Sequence, residues 1–218
     1  MIHLVKEKLH ISDDLLIPDA EDLHYLVKVR RIRNREKVSF ASEGDVFETE
    51  CLLSGKEAIF KITNKYSQLQ NKPKLFAALA SADISALEEC LRNGVEAGAD
   101  AFFIFRSDYS NTDMKLIEKK MPRLKTIVAS AASQSRRTML PDIILKKMEE
   151  LAEMNCEHIA LHPYSPINLN SYDCKTKKTK CFGSVPKGGF QKKKTSFSRI
   201  KISECFLSRH RSYEWKTP

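Results

Sequence analysis

The sequence lacks the features that mark membrane, secreted and zinc-binding proteins. No apolar run approaches the roughly 18 uncharged residues that a transmembrane helix requires, and the opening residues MIHLVKEKLH carry charges where a signal peptide has its apolar core. The six cysteines form no C-x-x-C pair, so their spacing indicates neither a zinc site nor a thioredoxin-type motif. We therefore expect a soluble, cytoplasmic protein with reduced thiols, no membrane partner and no bound metal.

The positive charge is concentrated near the carboxyl terminus. The 218 residues have a net charge of +9. Residues 1–160 contribute −1, from 24 Lys and Arg and 25 Asp and Glu, whereas residues 161–218 contribute +10, from 13 and 3. Such a segment suits a polyanion such as nucleic acid. A lysine-rich tail that contacts only solvent is the alternative, and charge alone does not decide between them.

The first 70 residues predict a small β-rich domain with one short helix. Apolar side chains alternate from Val46 to Ile62, which is typical of a half-buried antiparallel hairpin. Turn residues at SEGD and SGKE separate the strands. The polar stretch NKYSQLQNKPK, residues 64–74, is the expected linker to a second domain.

Residues 71–218 predict alternating strands and helices. The helix DISALEECLRNGVEAG should begin at Asp83 or Ser85 and end at Gly98. A second helix follows from Met114, with a kink or break near Pro122, and PDIILKKMEELAEM predicts a third. The expected strands are KLFAALA, DAFFIF, HIALH, KCFGSV and RIKISECFLS.

This alternation favours a mostly parallel α/β sheet, whose ligands generally lie outside the carboxyl ends of the strands. The segments LHPYSP and SVPKGGF both leave such ends. They are therefore the places where we expect a ligand site.

Three stretches of the chain resemble motifs of one enzyme family. HYLVKVRRIRNRE is similar to H-x-L-x-x-V-L-R-x-x-x-G-D, VEAGAD resembles a helix-ending E-L-G-V, and IVASAASQSRRTMLPDI resembles A-x-E-Q-x-x-R followed by P-x-I. The matching residues are His24, Leu26, Val29, Arg31, Glu96, Gly98, Ala132, Gln134, Arg137, Pro141 and Ile143. On these motifs the chain resembles the ribosomal RNA small subunit methyltransferase E family over residues 3 to about 210.

The resemblance implies a fold and a function. The α/β chain would have a PUA-like, RNA-binding β-barrel over residues 1–70 and a SPOUT-type methyltransferase domain over residues 71–218, which forms a trefoil knot in the family. The enzyme would use S-adenosylmethionine to methylate N3 of a uridine in 16S rRNA. Its partners would be 16S rRNA, or the small ribosomal subunit, and a second copy in a homodimer.

The resemblance also implies site residues. Those expected to contact RNA are His24, Lys28, Arg31, Arg33 and Arg137. Those expected to bind the cofactor are Leu161, His162, Val185, Pro186, Gly188 and Gly189. No general base is assigned. Two alternatives stay open: the arginines from Arg31 to Arg35 could be a solvated face, and Gln134 and Arg137 could stabilise the domain or a dimer interface.

The chain departs from the family in its cofactor loops. In the loop that reads G-P-E-G-G-F in the family, Val185 replaces the first glycine and Lys187 replaces the acid. A β-branched residue blocks the close backbone approach that glycine permits, and the family's L-R-T-E-T-A loop has no clear counterpart. Arg35 replaces another family glycine. A catalytically inactive RNA-binding relic with an incomplete knot is therefore the second hypothesis, and an unrelated nucleic-acid-binding protein is a weaker third.

Overall fold

The described residues of a computed structural model form two β-sheets and four α-helices. They comprise residues 1–54, 57–68, 73–81, 83–107, 110, 112–161 and 179–184. The strands are β1 (Ile2–Val5), β2 (His10–Ser12), β3 (Leu15–Ile17), β4 (Lys37–Ser42), β5 (Asp45–Ser54), β6 (Glu57–Ser67), β7 (Leu75–Ala80), β8 (Ala101–Phe105), β9 (Asp142–Leu145), β10 (Glu157–Leu161) and β11 (Lys180–Ser184). The helices are α1 (Ala20–His24), α2 (Ile84–Glu96), α3 (Met114–Gln134) and α4 (Met148–Ala152).

The amino-terminal sheet has six strands in the order β1-β4-β5-β6-β3-β2. The expected hairpin is confirmed, because β5 and β6 pair antiparallel along most of their length. Glu43 and Gly44, both with positive φ, form the turn before β5. β6 continues to Ser67, so the first residues of the expected linker belong to a strand instead.

The carboxyl-terminal sheet is parallel throughout, in the order β10-β11-β7-β8-β9. All five residues of β8 are buried, as expected for a strand with both faces covered. α2 approaches this strand closely, since a Cβ atom on Gly94 would lie 2.5 Å from the Phe102 ring. The predicted parallel sheet is confirmed; the expected strand RIKISECFLS lies outside the described residues.

The helix boundaries follow the capping signals. The Asp83 side chain accepts from the Ala86 N–H, which makes Asp83 the N-cap of α2, and Gly98 follows the helix with φ +96°. α3 is a single element through Pro122, so the chain does not break there.

The prediction of one helix over PDIILKKMEELAEM was wrong. Its first part is β9, which pairs with β8 from Asp142 to Leu145, and only α4 is helical. Paired Ile143 and Ile144 fit a pleated strand, and the β8 edge supplies hydrogen bonds that a helix would forgo. Tertiary pairing therefore overrides the helical pattern of the segment.

The two sheets share a core instead of being separated by solvent. Val5, Ala41 and Val46 from the amino-terminal sheet pack in one cluster with buried side chains of α2 and α3. The Gly44 N–H donates to the Thr138 carbonyl (3.0 Å), and the Val5 N–H donates to Ser133 Oγ (3.1 Å). In the described part of the chain, no helix is long and apolar enough to cross a bilayer.

Candidate cofactor and nucleic-acid sites

The carboxyl ends of β10, β11 and β7 lie side by side. Leu161, the last residue of β10, is in register with Ser184, the last residue of β11, and β11 pairs in parallel with β7. The chain runs outward from β7 through β8 to β9 and then returns to the opposite edge to form β10 and β11. Ligands of α/β sheets generally bind where the strand order reverses in this way. The two segments expected to carry the ligand site therefore leave from neighbouring strands at the reversal.

At the same edge of the sheet, a hydrogen bond joins the ends of β7 and β8. Ser81, buried directly after β7, donates its N–H to the Phe105 carbonyl at the end of β8 (2.8 Å), which joins the two strand ends. Arg106, directly after β8, is exposed. The backbone of Leu161 lies at the edge, but its side chain and the other expected cofactor residues lie outside the described positions: His162, Val185, Pro186, Gly188 and Gly189.

A basic segment, defined as residues 28–37, is exposed on the amino-terminal sheet. A π-helical turn from Tyr25 to Val29 overlaps its first two residues, with the Arg30 N–H donating to the Tyr25 carbonyl (2.8 Å). Such turns occur frequently at functional sites. Leu26 is fully buried and anchors the turn, while His24 is exposed beside it. The exposed cations of the segment are Lys28, Arg30, Arg31, Arg33, Arg35 and Lys37.

The backbone of the basic segment is held in a costly conformation. Arg31 has φ 52° and Arg35 has φ 65°, in the left-handed region that disfavours residues with a Cβ atom. The Arg35 N–H donates to the Cys51 carbonyl (2.7 Å), and the Arg33 N–H donates to the Glu36 carboxylate (2.9 Å). Backbone strain of this kind is concentrated at functional sites. The structure thus supports these arginines on a firm, strained loop.

The Arg137 side chain is bound within the fold, beside the parallel sheet. Its side chain is 15% exposed and pairs with Asp100 (2.9 Å), and it also donates to the Val95 (3.4 Å) and Ala99 (3.0 Å) carbonyls. Asp100 in turn accepts from the Leu75 N–H (2.8 Å). The guanidinium therefore ties the end of α2 to the start of β7. These contacts favour the stabilising role over the expected RNA contact.

A groove of about 490 Å³ runs between β1, α1 and the last turns of α3. Lys6 lies on it, bonded to both Asp19 and Asp22 at 2.9 Å. Although burial opposes it, these hydrogen bonds raise the pKa of Lys6. Burial raises the pKa of Asp22. Cations at the groove that sequence reasoning did not select are Lys6, Arg30 and Arg136. Arg30 belongs to the basic run 28–37, which was the available signal.

Known proteins are similar to this chain in sequence and in fold. The family model described as "RNA methyltransferase domain" matches residues 70–209. The ribosomal RNA small subunit methyltransferase E of Aquifex aeolicus is 26% identical over 197 residues, covering 86% of this chain and 82% of that protein. Ribosomal RNA small subunit methyltransferase E 2 of Borreliella burgdorferi is 26% identical over 133 residues, covering 59% of this chain and about half (55%) of that protein.

Solved structures agree with the fold. Ribosomal RNA small subunit methyltransferase E of Neisseria gonorrhoeae, bound to S-adenosyl methionine, aligns with a TM-score of 0.73 at 18% identity, over 88% of this chain and 82% of that one. A predicted RNA methyltransferase of Thermotoga maritima gives 0.70 at 18% identity, over 95% and 90%. Since the family model covers more than half of the sequence and both curated relatives are of the same type, the chain belongs to the RNA methyltransferases of the ribosomal RNA small subunit methyltransferase E family.

Proposed function

We propose that the protein is an S-adenosylmethionine-dependent methyltransferase that acts on N3 of a uridine in 16S rRNA. The observation that carries the proposal is the strand order of the parallel sheet. It brings the ends of β10 and β11, from which the family's cofactor loops would leave, next to each other at the point of reversal. Family membership supplies the reaction, and the relatives supply the substrate class.

The bound cofactor would supply a methyl group activated by its sulfonium. The protein must hold this methyl in line with the uridine nitrogen and exclude water, so positioning carries much of the rate. By resemblance to the family, the residues that would hold the cofactor are Leu161, His162, Val185, Pro186, Gly188 and Gly189. The hydrogen bond from Ser81 to the end of β8 keeps the neighbouring strand ends together.

RNA would dock on the basic segment and enter the groove. Arg31 and Arg33 are exposed, and their contacts would be to phosphates, which position an RNA without reading its sequence. Arg30 also lines the groove, together with exposed Gln134 and Arg136 and with the acids Glu21 and Asp22. His24 and Lys28 flank the same surface. This continuity is a reason to place the RNA on both domains.

The proposal includes a PUA-like barrel formed by the amino-terminal sheet and a trefoil knot in the carboxyl-terminal domain. It also includes a homodimer and a cytoplasmic location. The mixed six-stranded sheet and the insertion of β11 between β10 and β7 are compatible with the first two. The domain boundary near residue 70 agrees with the start of the family match.

The second candidate is an inactive RNA-binding relic, and the sequence of one loop favours it. Val185 and Lys187 stand where the family has glycine and an acid. Near a cationic sulfonium, reversing the charge of one side chain at about 4 Å shifts the interaction by roughly 4 kcal/mol per unit charge at an effective dielectric of 20. Under this hypothesis the RNA surface persists while cofactor affinity is lost.

Isothermal titration with S-adenosylmethionine, and with S-adenosylhomocysteine as a second ligand, tests the proposal. Micromolar binding, together with transfer of labelled methyl to small ribosomal subunits that lack the modification, is expected of the enzyme. The absence of heat at millimolar ligand would overturn it. The double variant Val185→Gly/Lys187→Glu then separates the hypotheses, because restored binding in this variant but not in the native chain identifies a relic.

Two variants, one at each proposed site, test whether the RNA surface and the cofactor site are separate. Arg31→Ala should keep cofactor binding and lose methyl transfer at low RNA concentration, because its position lies on the other sheet. Gly188→Val should lose cofactor binding and keep RNA affinity. If both variants lose cofactor binding together, the separation of the two sites is wrong.

A further inference from the structure

Two cysteines and a histidine meet at the amino-terminal edge of the parallel sheet. Cys156 directly precedes β10, His158 is the second residue of β10, and Cys181 is the second residue of β11. Parallel pairing puts His158 in register with Cys181. The three donor atoms, two sulfurs and one imidazole nitrogen, all lie within 4.8 Å of one another.

The spacing of these atoms suits a tetrahedral cation. Zinc binds thiolate sulfur at about 2.3 Å and imidazole nitrogen at about 2.0–2.1 Å, so a tetrahedral site separates sulfur from nitrogen by about 3.6 Å. The observed distance from Cys156 Sγ to His158 Nε2 is 3.6 Å. The side chains therefore need little rearrangement to close on one ion.

The donor set selects the kind of cation. Thiolate and imidazole ligands favour zinc and other soft or borderline metals, whereas magnesium and calcium require oxygen donors. Cys181 is 3% exposed and Cys156 and His158 are half-buried, so the cluster is shielded and still open to an entering ion. His158 Nε2 lies 3.2 Å from the Met154 carbonyl, a contact that a metal bond would replace.

The two sulfurs lie within 4.8 Å of one another. A hydrogen bond between the thiols lowers the pKa of Cys156 and raises that of Cys181. A bound cation would displace the thiol protons to solvent, since thiolate is the ligand form. The alternative use of the pair is a disulfide, which requires a sulfur–sulfur distance of about 2.05 Å and an external oxidant.

We propose that Cys156, His158 and Cys181 form a three-ligand site for a thiophilic divalent cation, with zinc as the physiological ion and water as the fourth ligand. The site is separate from the proposed cofactor loops, because Cys156 and Leu161 lie at opposite ends of β10, about 16 Å apart along an extended strand. The ion would clamp β10 to β11 and so hold the strands from which those loops leave. The inference does not depend on methyltransferase activity.

Cobalt titration of the metal-free, reduced full-length protein tests the site. We expect one equivalent to produce the thiolate-to-cobalt charge-transfer band and the intense visible bands of a tetrahedral ion, and zinc to remove both. Zinc should also raise the thermal midpoint, since an ion that binds only the folded state stabilises it. Cys156→Ser and His158→Gln should each weaken cobalt binding at least about 100-fold, because even outer-shell changes cost 10- to 100-fold.

Cys90→Ser is the matched control, because exposed Cys90 on α2 is outside the cluster, and it should bind as the native chain does. His158→Gln keeps both thiols, so its loss of binding is separable from misfolding when its circular dichroism is native. No tetrahedral spectrum in the native chain, or equal binding by His158→Gln and the native chain, would overturn the proposal. A Cys156–Cys181 disulfide without metal uptake would assign the pair to redox chemistry instead and would also overturn it.

Discussion

Two arginine-containing regions of this protein place their cations in opposite environments. The basic segment, residues 28–37, presents its cations to solvent on a backbone with two positive φ angles. The loop after α3 turns Arg137 inward, where Asp100 and two carbonyls take up its guanidinium. The difference lies in what the fold brings within reach of each side chain. A basic residue therefore stays exposed to solvent only where the fold brings no partner to its charge.

The largest expected effect is the loss of stability in Arg137→Ala. Removing this cation leaves Asp100 without its charged partner and takes one hydrogen-bond donor from each of the Val95 and Ala99 carbonyls. Breaking a fully buried pair costs about 3–5 kcal/mol. Because this pair is partly buried, we expect the free energy of unfolding to fall by about 2–3 kcal/mol in urea denaturation.

Arg31→Ala and Arg137→Lys are the comparisons for this result. Arg31 is exposed, and its replacement should change the free energy of unfolding by less than about 0.5 kcal/mol. Lysine cannot reproduce the planar fork of arginine, so Arg137→Lys should lie between alanine and the native chain. If Arg137→Ala unfolds at the same urea concentration as the native chain and loses RNA affinity, Arg137 serves RNA binding as we propose for the basic segment.

The second effect concerns RNA binding by the basic segment. Arg31→Ala/Arg33→Ala should weaken binding to a 16S rRNA fragment about tenfold, which corresponds to about 1.4 kcal/mol. The salt dependence should become shallower by about 0.7–0.9 per lost phosphate contact. Filter binding over a series of salt concentrations measures both.

Lys119→Ala/Lys120→Ala removes the same charge from an exposed part of α3 and is the matched control. It should reduce affinity less and leave the salt slope nearly unchanged. Equal effects of the two double variants would mean that RNA responds to net charge alone, and the basic segment would then be a solvated face.

Much of the fold, but less of the site, could be predicted from the sequence. The parallel sheet and the Asp83 cap follow from local signals, namely alternating strands and helices and a short acidic side chain before an apolar stripe. β9 could not be predicted, because its pairing with β8 is a tertiary contact. The inward course of Arg137 and the meeting of Cys156 with Cys181 depend in the same way on residues distant in sequence.

Lys6 is a third cation, less exposed than the basic segment and more exposed than Arg137. The pH dependence of stability tests its pairing with Asp19. Although partial burial opposes it, the Asp22 N–H and the Lys6 ammonium hold the pKa of Asp19 below its ordinary value of 3.8. A lowered carboxyl pKa contributes stability that is present above pH 3.8 and is lost as pH falls through the folded value. Because Asp19 is 46% exposed, the contribution should be only about 0.5 kcal/mol.

Asp19→Asn isolates this contribution, because asparagine still caps α1 while the charge is removed. The native chain should lose slightly more stability than the variant as pH falls from about 5 to about 2, an interval that spans the ordinary pKa and lower values. Asp13→Asn, which changes an exposed acid, is the control. Identical pH profiles of Asp19→Asn and the native chain would contradict the pairing of Lys6 with Asp19.

The smallest expected change in stability, in Arg35→Gly, gives the sharpest comparison. Glycine removes about 1 kcal/mol of left-handed strain at φ 65°, but its freedom in the unfolded chain costs about 0.5–1 kcal/mol, and the 3.9 Å pair with Glu50 is exposed and weak. Stability should therefore stay within about 0.5 kcal/mol. Arg35→Ala keeps the strain and loses the charge. If both variants bind RNA several-fold more weakly, the charge of Arg35 contributes to RNA binding. If neither does, Arg35 replaces the family's glycine without a role in RNA binding.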